Sequence, residues 1–186
     1  MTTRLESHSS EALYRSIVDS PVGPLTVVIS DVGVRALLWP EDDGRVPTGD
    51  GRLIDDGSAG GEVPTAVQSI MTDVAAQLGE YFAGTRTGFD VPLDPVGSDF
   101  QRDAWRALRD IPFGETVSYG EQAERMGDRN KARAVGAANG KNPISIIVPC
   151  HRVVGRDGSL TGFAGGIETK RFLLDLERRV SGRSLL

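Results

Sequence analysis

The sequence holds one cysteine, Cys150, and only two histidines, His8 and His151. A lone cysteine makes no internal disulfide, and three such side chains fall short of the four ligands of a structural zinc site. No apolar run approaches the roughly 18–20 residues that a membrane-spanning helix needs. The first ten residues are polar, carry Arg4 and Glu6, and lack the apolar centre of a secretory signal. Together these absences predict a cytoplasmic protein with no metal, no cofactor and no membrane partner. No internal repeat is visible. A length of 186 residues allows one large domain or two small ones.

The net charge of −5 argues against a nucleic-acid partner, but its distribution argues for one. Residues 1–98 carry 15 acidic and 6 basic side chains, whereas residues 99–186 carry 11 acidic and 15 basic. Within 119–156 there are 7 Lys or Arg against 3 acids. A basic module joined to an acidic one fits a phosphate-binding surface; a solvated helix face is the plainer alternative.

Residues 13–19, 24–30 and 34–39 are rich in β-branched residues and closely spaced, which predicts three strands in an antiparallel meander. Residues 40–62 are dominated by Asp, Glu and Gly and predict a mobile loop. Val67, Ile70, Met71, Val74, Leu78 and Tyr81 recur at helical spacing over 65–82. A short strand is expected at 89–93. Pro92, Pro95 and Gly97 then mark a boundary at which the charge balance changes sign. The expected organisation is an α/β domain over 1–94, a mostly α domain over 98–180, and a flexible tail over 181–186.

In the second part, Ser98 can cap a helix running to 109. Two short helices, 118–126 and 130–139, flank the turn Gly127-Asp128-Arg129 and resemble a helix-turn-helix whose second helix is small and basic. Residues 144–148 read as a buried extended run, 152–166 as a glycine-rich loop or wing, and 168–179 as a last helix. Cys150 follows the apolar run, where a lone cysteine is ordinarily a small core residue. Against that reading stand the adjacent His151 and Arg152, and Pro149, which fixes the backbone before the thiol. A cysteine nucleophile works as a thiolate, and a neighbouring base or cation favours that form. Glu177 on the last helix is a candidate to orient His151, with an exposed helix acid as the alternative.

The run Asn142-Pro-Ile-Ser-Ile-Ile-Val-Pro-Cys-His-Arg-Val-Val closely resembles the active-site signature of the O6-alkylguanine-DNA alkyltransferases. The resemblance extends from about Phe100 to Glu177. It takes in Ile-Pro-Phe-Gly-Glu-Thr-Val-Ser-Tyr-Gly, the Arg-Ala-Val-Gly of the second short helix, and Gly-Phe-Ala-Gly-Gly, all in order and at family spacing. The first half resembles the family in outline only, as three strands and a helix, which implies an RNase H-like α/β domain ahead of a winged helix-turn-helix.

The resemblance implies direct-reversal DNA repair: an alkyl group passes from O6-alkylguanine in double-stranded DNA to the protein, once and irreversibly, with O4-alkylthymine left open as a second substrate. Cys150 matches the acceptor, His151 the base acting through water, and Glu177 the acid that orients it. Asn142 matches the asparagine bridging the helix-turn-helix to the site. Tyr119 matches the tyrosine that assists departure of the purine. Arg133 matches the arginine that fills the stack when the damaged nucleotide rotates out. Ala132, Ala134, Gly136, Ala137 and Ala138 suit a helix whose backbone approaches the minor groove, and Lys141 and Arg152 are further expected DNA contacts. Tyr119, Ser145, Val153, Phe163 and Ala164 are the expected pocket, with backbone groups near Val153 and Ala164 reading the guanine edge. Phe163 stands where many members carry tyrosine, and Ser145 where the human-type enzyme has proline. A monomer is expected, with clustering on DNA left open. Three rival readings are weaker. A lesion-flagging relative would lack Cys150, a winged regulator would leave Pro-Cys-His-Arg unexplained, and a cysteine hydrolase would need an acyl site that the sequence does not offer.

Overall fold

The computed structural model describes residues 12–40, 52–54 and 63–182. Strands β1 (Ala12–Val18), β2 (Leu25–Ile29) and β3 (Val34–Leu38) pair antiparallel in chain order, as the meander reading requires. A fourth strand, β4 (Arg52–Ile54), runs parallel to β1 and gives the sheet order β3-β2-β1-β4. The sheet is therefore mixed, and part of the expected 40–62 loop is a strand. The rest of that segment, 41–51 and 55–62, lies outside the described residues, as do 183–186 of the expected tail.

Side chains alternate across the strands. Tyr14, Val18, Val27, Ile29 and Leu37 belong to the main core, while Leu13, Val28 and Ala36 form a separate small cluster. Helix α1 (Thr65–Phe82) packs on the sheet and buries Val67, Val74, Leu78 and Tyr81. These four are the i, i+7, i+11 and i+14 positions of the helical stripe, and each such burial is worth roughly 1.5–3 kcal/mol. The expected strand over 89–93 reduces to one bridge, Val34 with Leu93.

The edge of β3 is covered rather than open. Val34 N donates to Pro92 O at 2.9 Å, and Leu37 N donates to Pro143 O at 2.8 Å. The second bond ties the sheet to the segment leading into Cys150. Helix α2 (Asp99–Leu108) begins in a capping box made by Ser98 and Gln101, and α3 (Tyr119–Arg125) in one made by Ser118 and Glu121. A 3-10 turn over Arg129–Lys131 leads into α4 (Ala132–Asn139). Between α3 and α4 the buried amides of Gln122 and Asn139 bond reciprocally at 2.7 and 3.3 Å, which fixes the two helices against each other. Strands β5 (Val117–Ser118) and β6 (Val153–Val154) form a two-stranded parallel pair, and α5 (Gly166–Val180) closes the fold.

The run 144–148 is buried but not extended. Ile146 takes φ 74°, Ile147 N bonds to Ser145 O, and Val148 N returns to Ile144 O at 2.9 Å. A β-branched residue in the left-handed region is strained by roughly 1–3 kcal/mol. The resulting tight turn brings Ser145 back beside Cys150.

Candidate active site

Cys150 opens a 3-10 turn, Cys150–Arg152, directly after Pro149. Its side chain is 8% exposed. Burial pushes the thiol above its ordinary pKa, with hydrogen bonding from Asn142 and Ser145 and the charge of Lys170 pulling the other way. The resting group is therefore a thiol that needs a base. Ser145 Oγ lies 4.0 Å from Sγ. Asn142 clamps the strained turn: its Nδ2 donates to Val148 O at 2.8 Å and its Oδ1 accepts from Ile144 N at 3.1 Å.

His151 and Glu177 are both wholly buried, and His151 Nε2 lies 2.8 Å from Glu177 Oε1. Burial lowers the His151 pKa despite the carboxylate beside it. Burial would raise Glu177, but hydrogen bonds and charge from His151 and Arg152 outweigh it and bring the carboxyl to about 2. The pair at neutral pH is a neutral imidazole and a carboxylate. Nε2 must then carry the proton that Oε1 accepts, which leaves Nδ1 as the basic nitrogen. Nδ1 is buried and has no hydrogen-bond partner among the described residues.

Arg152 is not at a DNA-facing surface. It is 7% exposed; Nε and Nη2 donate to Glu177 at 3.0 Å, Nη1 donates to Ile111 O at 2.6 Å, and the guanidinium lies over Phe113. It is a structural cation for Glu177, which corrects the expected DNA contact. Val153 is likewise fully buried, its N–H bonded to Cys150 O and its carbonyl to Lys170 Nζ at 2.7 Å.

The other expected residues divide by exposure. Arg133, Ala134, Ala137 and Lys141 are exposed, and Ala132 and Gly136 half-buried. Ala138 is buried, its carbonyl accepting from Trp105 Nε1 at 2.8 Å, so it does not belong to the outer face of α4. The Tyr119 ring packs over Gly136, and its hydroxyl accepts from Thr161 Oγ1 at 3.3 Å. Tyr119, Ala132, Arg129 and Arg156 share a cavity of about 290 Å³. Ser145, Ala164, Asn142 and Lys141 line another of about 610 Å³, whose far wall includes Trp39 from the end of β3. Phe163 stands edge-on between Trp39 and His151, at 5.4 and 6.4 Å between ring centres. A Cβ at Gly165 would meet the Trp39 ring at 2.7 Å, so only glycine fits there.

Two polar residues escape the sequence reading. Lys170 is fully buried and bridges the carbonyls of Val153 and Thr161 at 2.7 and 2.8 Å. Tyr81 donates from α1 to Glu177 Oε1 at 2.8 Å. Spacing holds a signal for the first: Lys170, Leu173, Leu174 and Glu177 share one face of α5 at i, i+3, i+4 and i+7. Tyr81 is visible only as a member of an apolar stripe. Among the described residues no group of His, Cys, Asp or Glu side chains could hold a metal, and no helix is long and apolar enough to cross a membrane.

A buried thiol next in sequence to a neutral imidazole, itself held by a carboxylate, is an arrangement compatible with a cysteine nucleophile and a base to activate it. Family models narrow the class. One described as "6-O-methylguanine DNA methyltransferase, DNA binding domain" matches residues 99–179, and one described as "6-O-methylguanine DNA methyltransferase, ribonuclease-like domain" matches 13–95. A methylated-DNA–protein-cysteine methyltransferase of Mycolicibacterium paratuberculosis is 50% identical over 172 residues, covering 92% of this chain and 96% of that protein. One from Methanosarcina acetivorans is 39% identical, covering 89% and 98%. The crystal structure of Mycobacterium tuberculosis OGT in complex with DNA is similar with a TM-score of 0.76 at 44% identity, covering 91% of this chain and 94% of that one. The chain belongs to the 6-O-methylguanine DNA methyltransferase family.

Proposed function

We propose that this protein reverses alkylation damage in DNA directly, moving the alkyl group from O6 of guanine to Cys150. The observation that carries this reading is the buried sequence of Cys150, His151 and Glu177 in a chain of this family. The relatives are named for transfer to a protein cysteine, and this chain has only one.

In the proposed step, His151 Nδ1 takes the thiol proton through a bridging water while Glu177 steadies the imidazolium. The sulfur attacks the alkyl carbon, a C–S bond forms and the C–O6 bond breaks. The electron pair left on guanine is stabilised by a hydrogen bond from Tyr119, which passes it a proton, and the proton taken from the thiol returns from His151 through water to restore Tyr119, so that the products are the thioether and neutral guanine. The thioether has no route back, so each protein acts once.

The target base is stacked in a duplex and must leave it, at a cost of a few kcal/mol. We assign α3 and α4, with the 155–162 loop as a wing, to a winged helix-turn-helix in which the outer face of α4 meets the minor groove. Arg133, exposed and without a partner among the described residues, fills the stack, and Ala132, Ala134 and Gly136 let the backbone approach. Lys141 and Arg156 suit phosphate contacts. This reading also keeps residues 1–94 and 98–180 as separate domains, the first RNase H-like, and a monomer in the cytoplasm.

The test uses duplex DNA containing O6-methylguanine and intact-mass measurement. One methyl group on Cys150, absent from Cys150→Ser, is the expected result. Tight binding with no mass change would leave a lesion-binding protein instead.

A further inference from the structure

We propose that Tyr81, on the N-terminal helix α1, is a positioning residue for the transfer reaction: its hydroxyl occupies Glu177 Oε1 and limits how strongly that carboxylate holds a proton on His151. The proposal rests on the reading of Cys150 as alkyl acceptor.

Glu177 is held by four donor residues from three parts of the chain. Oε1 accepts from Tyr81 Oη at 2.8 Å, His151 Nε2 at 2.8 Å and Arg152 Nη2 at 3.0 Å. Oε2 accepts from Arg152 Nε at 3.0 Å and Gly114 N at 2.9 Å. Tyr81 and His151 thus compete for one oxygen. Tyr81 is fully buried, with its ring against Phe82, Phe89 and Phe113, so the hydroxyl is fixed in direction. Burial and the nearby carboxylate keep it a phenol, so it stays a neutral donor. Each donor on Oε1 disperses carboxylate charge at an oxygen closed to bulk solvent. With Tyr81 in place, the imidazolium gains less from Glu177 than it would from a carboxylate with a free lone pair. His151 therefore returns its proton more readily and remains a neutral base to lower pH. The other charges acting on His151 are Arg152 in its own turn and Lys170 on α5, and neither bonds to Tyr81.

This gives the N-terminal half a part in the chemistry. Tyr81 on α1 is 96 residues from Glu177 in sequence and supplies one of the groups that set the base.

The test compares wild type with Tyr81→Phe, which keeps the ring. Single-turnover transfer from methylated duplex is followed by intact mass between about pH 5.5 and about pH 8.5. The acid limb of the variant is expected at higher pH, so that its rate relative to wild type falls at least about threefold from pH ~8 to pH ~6. Superimposable profiles, or a uniform loss at every pH, would overturn the proposal, since lost packing alone does not move a titration. In wild type itself, a slowly exchanging Tyr81 hydroxyl proton with a cross-peak to His151 Nε2–H is expected by NMR. Its absence would overturn the proposal even if the variant failed to fold. A wild type that leaves Cys150 unmethylated would instead sink the alkyl-transfer reading, and this one with it.

Discussion

His151 Nε2 and Glu177 Oε1 lie 2.8 Å apart with both side chains shut off from solvent, so the proton between them has one donor and one acceptor. The same carboxylate also neutralises Arg152. One acid therefore orients the base and balances a buried cation.

That double duty links Glu177 to acid stability. Its carboxyl titrates at about 2 in the fold against an ordinary value of 4.5. A depressed value stabilises the fold fully above the unfolded pKa, and the stabilisation is lost as pH falls through the folded one. Glu177→Gln should lose about 3 kcal/mol or more at neutral pH, because it leaves Arg152 buried against a neutral amide. Urea unfolding of the variant should also depend less on pH between 4.5 and about 2. Wild-type stability in the variant would contradict the assignment.

Cys150 should be a poor target for general thiol reagents. It is buried, and burial favours the protonated thiol. Alkylation of the DNA-free protein by iodoacetamide near pH ~7.5 should run about tenfold or more slower than that of a small free thiol. A rate equal to the small thiol would mean that the site is open and the sulfur already ionised.

Under the proposed reading, substituting Arg133 should separate DNA engagement from chemistry. Its side chain is exposed, so Arg133→Ala should change folding stability by less than about 0.5 kcal/mol. Transfer from methylated duplex should drop at least about tenfold, the cost of losing a group that supports an unstacked nucleotide. Reaction with free benzylguanine should be unchanged. Equal losses with both substrates would place Arg133 in the chemistry rather than in the DNA.

Ser145 forms part of the wall of the 610 Å³ cavity, beside the thiol. Proline there would present a flat apolar surface to an aromatic alkyl group. Ser145→Pro should speed inactivation by benzylguanine while methyl transfer from DNA changes little. Identical benzylguanine rates would show that this wall does not select for bulk.

Local chemistry announces itself in the sequence. Ser98 reads as a helix cap and forms a capping box with Gln101, as Ser118 does with Glu121. What escapes is set by distant partners. The strand at Arg52–Ile54 sits in an acidic, glycine-rich stretch because backbone pairing to β1 needs no apolar composition. The apolar run 144–148 promises an extended chain, yet Ile146 adopts a backbone that its own side chain disfavours, and only the finished surroundings impose it. Arg152 looks like a phosphate contact because it is basic and follows the nucleophile. Its true partner lies 25 residues away on another helix.

The bond from Tyr81 to Glu177 also joins the first helix of the fold to the last. A ribosome makes α1 long before α5, and most of the second half lies between them. Closing 96 residues of chain costs more entropy than closing a local helical turn. Until α5 docks, Cys150 has a histidine beside it but no carboxylate to aim it. The carboxylate beside the histidine is thus brought in by the last helix of the fold, across 26 residues of chain, and the phenol that shares it comes from the first helix.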